Sequence, residues 1–156
     1  MIGALVLTIP TGASRTKLKI INGYLIQPNA NLRWADLRGS DLSHALLFGG
    51  SMIRADMSNA DLSHANLRGA NMRLTNLSRS LLIGTDLSNA DLSHANLRVT
   101  NLRWATLSGA SLIRADLSGA MLSGANLTGV TATNLRSCPR TLPSGWVCEN
   151  NSLIQR

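Results

Sequence analysis

The chain is poor in aromatic and acidic residues. Its 156 residues include one Phe, one Tyr and three Trp, so aromatic residues make up 3% of the total. Charged residues make up 15%, below the roughly 25% of an average soluble protein, and Glu149 is the single glutamate. This composition argues against a conventional mixed core. The hydrophobic fraction of 44% argues equally against general disorder.

Long apolar runs are also missing. No stretch approaches the roughly 18 to 20 apolar residues that a membrane-spanning helix needs. The run from Ile2 to Ile9 is too short to span, and the cations Arg15, Lys17 and Lys19 follow it instead of preceding it. This order disfavours a cleaved signal peptide. We therefore expect no membrane span.

Motifs of common active sites are absent as well. The sequence has no phosphate-binding G-x-x-x-x-G-K-[S/T] loop, no G-x-S-x-G elbow and no H-E-x-x-H metal helix. All Asp residues fall in one slot of a repeat, where a turn role is the simpler explanation. We therefore expect a protein that is not an enzyme and needs no cofactor.

A repeat of five residues occupies the middle of the chain. From Leu32 to Leu127 every fifth residue is Leu or Met, twenty times in succession. The residue two positions earlier is small, most often Ala, and the residue one position earlier is usually Asp or Asn. The unit is therefore A-[D/N]-L-x-x, as in Ala60-Asp61-Leu62.

A period of five fits neither an α-helix nor a flat strand. On a helix, successive Leu residues would rotate by about 140° and spread around the circumference. On a strand, an odd step would place alternate Leu residues on opposite faces. The period is satisfied by a chain that bends once per unit and sends one large and one small residue inward. Asp and Asn suit the bend because their side chains hydrogen-bond nearby backbone.

These residues resemble the pentapeptide-repeat family from Ala30 to Gly129. The resemblance implies an all-β fold, a right-handed quadrilateral β-helix solenoid with four units per coil and about five coils. Since the open ends of a solenoid need covering, we divide the chain into an N-terminal flank and cap (1–29), the β-helix (30–129) and a C-terminal cap (130–156). The resemblance points towards bacteria, cyanobacteria in particular, and towards a single module of the kind found in multi-module family members.

Two cysteines lie in the C-terminal segment, Cys138 and Cys148. A disulfide across so short a loop is feasible and would stabilise the cap by about 2 to 3 kcal/mol. Unpaired structural thiols remain an alternative. A metal site lacks ligands, because two Cys without a nearby His fall short of four.

With four units per coil, one face is basic. Units at 30–34, 50–54, 70–74, 90–94 and 110–114 stack, which groups four arginines and one tryptophan against the single acid Asp91. We call this group the basic face; it consists of Arg33, Arg54, Arg73, Arg114 and Trp34.

The three histidines each end a D-L-S-H string. His44 and His64 are twenty residues apart and should stack, whereas His94 should fall on the opposite face. Two stacked imidazoles can share a transition metal. Because no third ligand is evident, duplicated surface residues are the simpler interpretation.

The sequence favours a non-enzymatic binding or structural spacer module whose partner it does not name. An unknown protein partner is preferred. Weak binding of a polyanion or nucleic acid, and self-association through ends or faces, remain open. The resemblance also implies an alternative function, in which acidic rods mimic DNA and bind gyrase and related topoisomerases. That function needs an anionic surface, whereas this chain has a net charge of +7. The cytoplasm is the default location, and a periplasmic or lumenal one follows if the cysteines are oxidised.

Overall fold

The computed structural model describes residues 19–156, and this part of the chain is all-β. Its named strands are β1 (Lys19–Ile21), β2 (Tyr24–Ile26), β3 (Trp146–Glu149) and β4 (Ser152–Gln155). Between β2 and β3 the chain pairs through isolated parallel bridges. Over these residues there is no helix with the length and apolarity to cross a membrane. The apolar run from Ile2 to Ile9 and the cations Arg15 and Lys17 lie outside the described residues.

The repeat region pairs with itself at intervals of twenty residues. Asn31 bridges to Ser51, Ser51 to Asn71 and Asn71 to Asp91, always in parallel. Three further ladders begin at residues 36, 41 and 46. Within each ladder the amide of the Leu position donates along the stack, as from Leu32 N to Ser51 O at 2.7 Å. The chain therefore lies beside itself again after every four units.

Each unit bends at the two residues that follow its Leu. The Asp or Asn side chain accepts a hydrogen bond from the amide two residues later, as Asp61 Oδ1 does from Ser63 N at 2.9 Å. The second turn residue often adopts a left-handed conformation, with φ of 61° at Trp34 and 62° at His94. These bonds confirm the turn role predicted for the Asp and Asn slot. We call the four stacks of turns turn columns 1 to 4; they begin at 33–34, 38–39, 43–44 and 48–49.

The repeated Leu and Met side chains form the core. All of them, from Leu32 to Leu127, are 0 or 1% exposed. Each buried Leu contributes on the order of 2 kcal/mol. Where Thr replaces Ala inside, its hydroxyl finds a carbonyl: Thr85 Oγ1 donates to Leu62 O at 2.8 Å. The interior thus accepts a polar atom without leaving it unpaired.

Both ends of the described chain carry a β-hairpin. In each, the two strands pair antiparallel across a two-residue turn, Asn22-Gly23 between β1 and β2 and Asn150-Asn151 between β3 and β4. All four turn residues have positive φ, between 47° and 82°. A two-residue turn whose twist matches that of the flanking strands needs positive φ at both central positions. Asn and Gly adopt positive φ readily, which explains why they occur here.

The C-terminal hairpin packs onto the end of the repeats. Leu153 is 8% exposed, and its amide donates to Ala132 O at 3.0 Å. A disulfide joins Cys138 to Cys148, whose Cα atoms are 5.9 Å apart. It ties β3 to the segment in which the bridge ladders end, at Thr141.

Candidate functional site

The basic face lies along turn column 1. Arg33 and Arg73 occupy the first turn position, whereas Trp34, Arg54 and Arg114 occupy the second. All five side chains are exposed. Amides of successive turns donate along the stack, Trp34 N to Ile53 O and Arg54 N to Arg73 O, each at 3.1 Å. These bonds hold neighbouring turns about 4.8 Å apart.

Trp34 and Arg54, which are twenty residues apart and neighbours in turn column 1, contact each other. The guanidinium carbon of Arg54 lies 4.6 Å from the centre of the Trp34 ring. This distance is within the range of a cation–π interaction, which contributes about 0.5 to 1 kcal/mol at an exposed site. The contact orders the Arg54 side chain while leaving its charge uncompensated.

Only part of the basic face is neutralised locally. Arg73 Nη1 lies 3.7 Å from Asp91 Oδ2, and both side chains are at least a third exposed, so this ion pair is weak. Within residues 19–156, Arg33, Arg54 and Arg114 have no carboxylate within ion-pairing distance. Turn column 1 therefore presents three uncompensated positive charges.

On turn column 2 the charges cancel more completely. Arg38 Nη2 lies 2.6 Å from Asp36 Oδ2, and Arg98 Nη1 lies 3.4 Å from Asp116 Oδ2. The side-chain hydrogen bonds from Arg38, together with its backbone amide, lower the pKa of Asp36 from 3.8 to about 2. Turn column 2 is thus close to neutral, whereas turn column 1 is basic.

Turn column 3 carries an aromatic stack. The His44 and His64 rings have centroids 5.3 Å apart and planes 14° apart, which confirms the predicted stacking. His94 lies on turn column 1 instead. Over the described part of the chain, no three His, Cys, Asp or Glu side chains converge as a metal site would require.

One exposed aromatic residue was missed by the sequence reasoning. Trp104, on turn column 3, is 66% exposed, and its indole covers Gly124. A Cβ atom at Gly124, which has φ of 72°, would lie 2.6 Å from Trp104 Cδ1. The available signal was the tetrapeptide Leu-Arg-Trp-Ala, which occurs at 32–35 and again at 102–105.

A shallow groove of about 450 Å³ lies on turn column 4. Phe48 and Arg68 line it together with Gly49 and Gly69. Its lining is mixed, and no cluster of ionisable groups converges on it.

These features define a repeat protein whose short parallel bridges stack four turn columns around an aliphatic interior. The chain belongs to the pentapeptide-repeat family. The family model described as Pentapeptide repeats matches in 8 copies, over residues 29–63, 60–98 and 100–136. Comparison with curated protein sequences gives no significant match.

Solved structures of the same family resemble this chain. A pentapeptide repeat protein from the thylakoid lumen of Arabidopsis thaliana is 32% identical, with a TM-score of 0.63 over 65% of this chain and 71% of that one. Rfr23 from the cyanobacterium Cyanothece 51142 is 38% identical over 51% of this chain and 54% of its own, with a TM-score of 0.32. HetL from Nostoc is 34% identical over 65% and 59%, with a TM-score of 0.28. Together with the family match, the Arabidopsis structure implies a β-helix.

Proposed function

We propose that the chain is a non-enzymatic binding or spacer module built as a right-handed quadrilateral β-helix. In this proposal about five coils span residues 30–129, and the flanks 1–29 and 130–156 serve as caps. The return of the chain beside itself every twenty residues supports four units per coil. Burial of the repeated Leu and Met side chains supports a continuous interior.

The basic face is the proposed contact surface, and an acidic protein is the proposed partner. The observation that carries this assignment is the absence, within residues 19–156, of ion-pairing acids around Arg33, Arg54 and Arg114. Uncompensated cations on one side of a rigid stack attract an anionic surface, and an approaching carboxylate need not displace an internal partner. Trp34 adds exposed apolar area beside them.

Heparin binding tests the basic face. A variant with Arg33, Arg54, Arg73 and Arg114 changed to Ser should elute from heparin at clearly lower salt. Few anionic groups can be neutralised by four arginines, so wild-type binding should itself be weak and fall steeply with salt.

A matched control removes the same charge elsewhere. It carries Arg38, Arg68, Arg79 and Arg98 changed to Ser, so both variants lower the net charge by four. Because Arg38 and Arg98 are already paired with carboxylates, the control should retain most of the binding. Equal losses in the two variants would show that net charge alone governs attraction and would contradict the assignment.

The disulfide supports an oxidising compartment. Cys138 and Cys148 are bonded in the structure, and disulfides persist mainly in exported proteins. We therefore place the protein in a periplasmic or lumenal space in preference to the cytoplasm. Labelling of free thiols in protein taken directly from its native source tests this. Full labelling of both cysteines would contradict the placement.

A further inference from the structure

Turn column 1 carries large apolar side chains as well as arginines. Of its five turns between residues 33 and 114, four combine one arginine with one apolar residue: Arg33-Trp34, Ile53-Arg54, Arg73-Leu74 and Ile113-Arg114. Trp34 and Leu74 are 62% and 42% exposed, and the two isoleucines are half-buried. A partner that approaches the basic face therefore meets apolar surface beside every arginine.

This combination is particular to turn column 1. It occurs once on turn column 2, at Arg98-Val99, and once on turn column 3, at Arg103-Trp104, whereas the turns of column 4 between 48 and 129 lack it. The bend itself does not require it, because Ser88-Asn89 forms the same turn with φ of 57° at the second residue. The arginines and apolar residues of turn column 1 are thus additions to the fold and not conditions for it.

The two kinds of residue exchange places along the column. Arginine comes first in the turn at 33 and 73 and second at 54 and 114. Ile53 therefore lies between Arg33 and Arg73 in the stack. Because neighbouring turns are about 4.8 Å apart, those two arginines stand roughly 9.6 Å from each other at the backbone. A partner that matches this pattern must supply anionic and apolar groups in close succession.

The carboxylates on the adjacent side of the stack are engaged elsewhere. Asp36 and Asp116 form ion pairs with Arg38 and Arg98. Asp56 accepts hydrogen bonds from a backbone amide at 3.0 Å and from an asparagine side chain at 3.1 Å. The uncompensated arginines of the basic face therefore remain available to a partner.

We propose that turn column 1 binds an acidic protein segment that carries apolar side chains among its carboxylates. This inference rests on the function proposed above and specifies the chemistry of the acidic partner. Carboxylates of the segment pair with Arg33, Arg54 and Arg114. Its apolar side chains cover Trp34 and Leu74, so that apolar burial adds affinity to the orientation that the charges provide.

Other anionic partners match this surface less well. A polyanion without apolar groups, such as heparin, pairs with the arginines but leaves Trp34 and Leu74 in water. An anionic bilayer offers both kinds of group, but three uncompensated charges attract it weakly. Ile53 and Ile113 are also half-buried, which limits their insertion into lipid. The surface therefore favours a protein segment.

The test compares two fluorescein-labelled peptides of equal length and charge by anisotropy. One alternates Glu with Leu and Phe, and the other alternates Glu with Ser. The wild-type protein should bind the Glu-Leu-Phe peptide about tenfold more tightly, because only that peptide buries apolar area. The double variant Trp34→Ser/Leu74→Ser should lose this preference while it binds heparin and the Glu-Ser peptide like the wild type.

The chain offers a matched control, the double variant Val99→Ser/Trp104→Ser. It also removes one tryptophan and one aliphatic residue, 66% and 54% exposed, from other turn columns. All four substituted residues occupy the second turn position, with φ between 55° and 61°. The control should keep the tenfold preference, since its substitutions lie away from the basic face.

The outcomes separate this inference from the proposed function. If the four-arginine variant of the basic face weakens binding of both peptides but Trp34→Ser/Leu74→Ser keeps the preference, the contact surface stands and the inference is wrong. If the four-arginine variant binds both peptides like the wild type, the proposed function is wrong. Equal affinity of the wild type for the two peptides, an equal loss of preference in the control, or tighter binding to phosphatidylglycerol vesicles than to the Glu-Leu-Phe peptide would also overturn the inference.

Discussion

Leu92→Lys is the substitution that tests the stacked core most directly. Leu92 is 0% exposed and lies between other fully buried repeat side chains. The change removes about 2 kcal/mol of apolar burial and places an ammonium group in a site without acids, at an effective cost of several kcal/mol. Because whole domains are stable by only about 5 to 15 kcal/mol, we expect the native state to be lost.

The assay is urea unfolding followed by far-UV circular dichroism. Leu92→Ala should unfold cooperatively at a lower midpoint, with a loss of about 2 to 5 kcal/mol. Thr128→Lys adds the same charge at an exposed turn and should unfold like the wild type. If Leu92→Lys kept the wild-type spectrum and midpoint, the buried position of the repeated Leu would be refuted.

Three further outcomes are expected. Reducing the Cys138–Cys148 disulfide should lower the free energy of unfolding by about 2 to 3 kcal/mol; identical urea midpoints with and without reductant would contradict a stabilising cap. Asp36 should titrate at about 2 by NMR, and in Arg38→Ala its pKa should rise but stay below the ordinary value, because the amide of residue 38 still donates to it. Since its folded pKa is lowered, its contribution to stability is present above pH 3.8 and is lost as the pH falls towards 2. A gyrase supercoiling assay should show no inhibition, because the basic face would repel a cationic DNA-binding surface; potent inhibition would overturn this expectation.

Features set by the five-residue period could be predicted from the sequence. Burial of the Leu position follows from the period, since only a chain that bends once per unit brings all those side chains together. The hydrogen bond from Ser63 N to Asp61 follows from the chemistry of Asp. The stacking of His44 on His64 follows from their separation of twenty residues, because four units of five residues bring the chain back beside itself.

Contacts that depend on side-chain direction could not be predicted in the same way. Arg73 reaches Asp91, whereas Arg114 finds no acid among the described residues, although both belong to the same face. Trp104 gains its position from a glycine twenty residues later, and its ring orientation depends on the left-handed turn that carries it. The position of the Trp104 ring therefore could not be read from the sequence, although the repeated tetrapeptide Leu-Arg-Trp-Ala offered a signal for the residue.

Some turn side chains lie over the residue twenty positions later, and this contact has an evolutionary consequence. Asn89 lies over Gly109 and Trp104 over Gly124, each at a distance that leaves no room for a Cβ. A mutation that enlarges the lower residue forces the upper side chain to move aside, so substitutions at the two positions are coupled. Descendants of this chain should therefore show correlated substitutions at a separation of twenty residues, on the outside of the molecule and not only in its core.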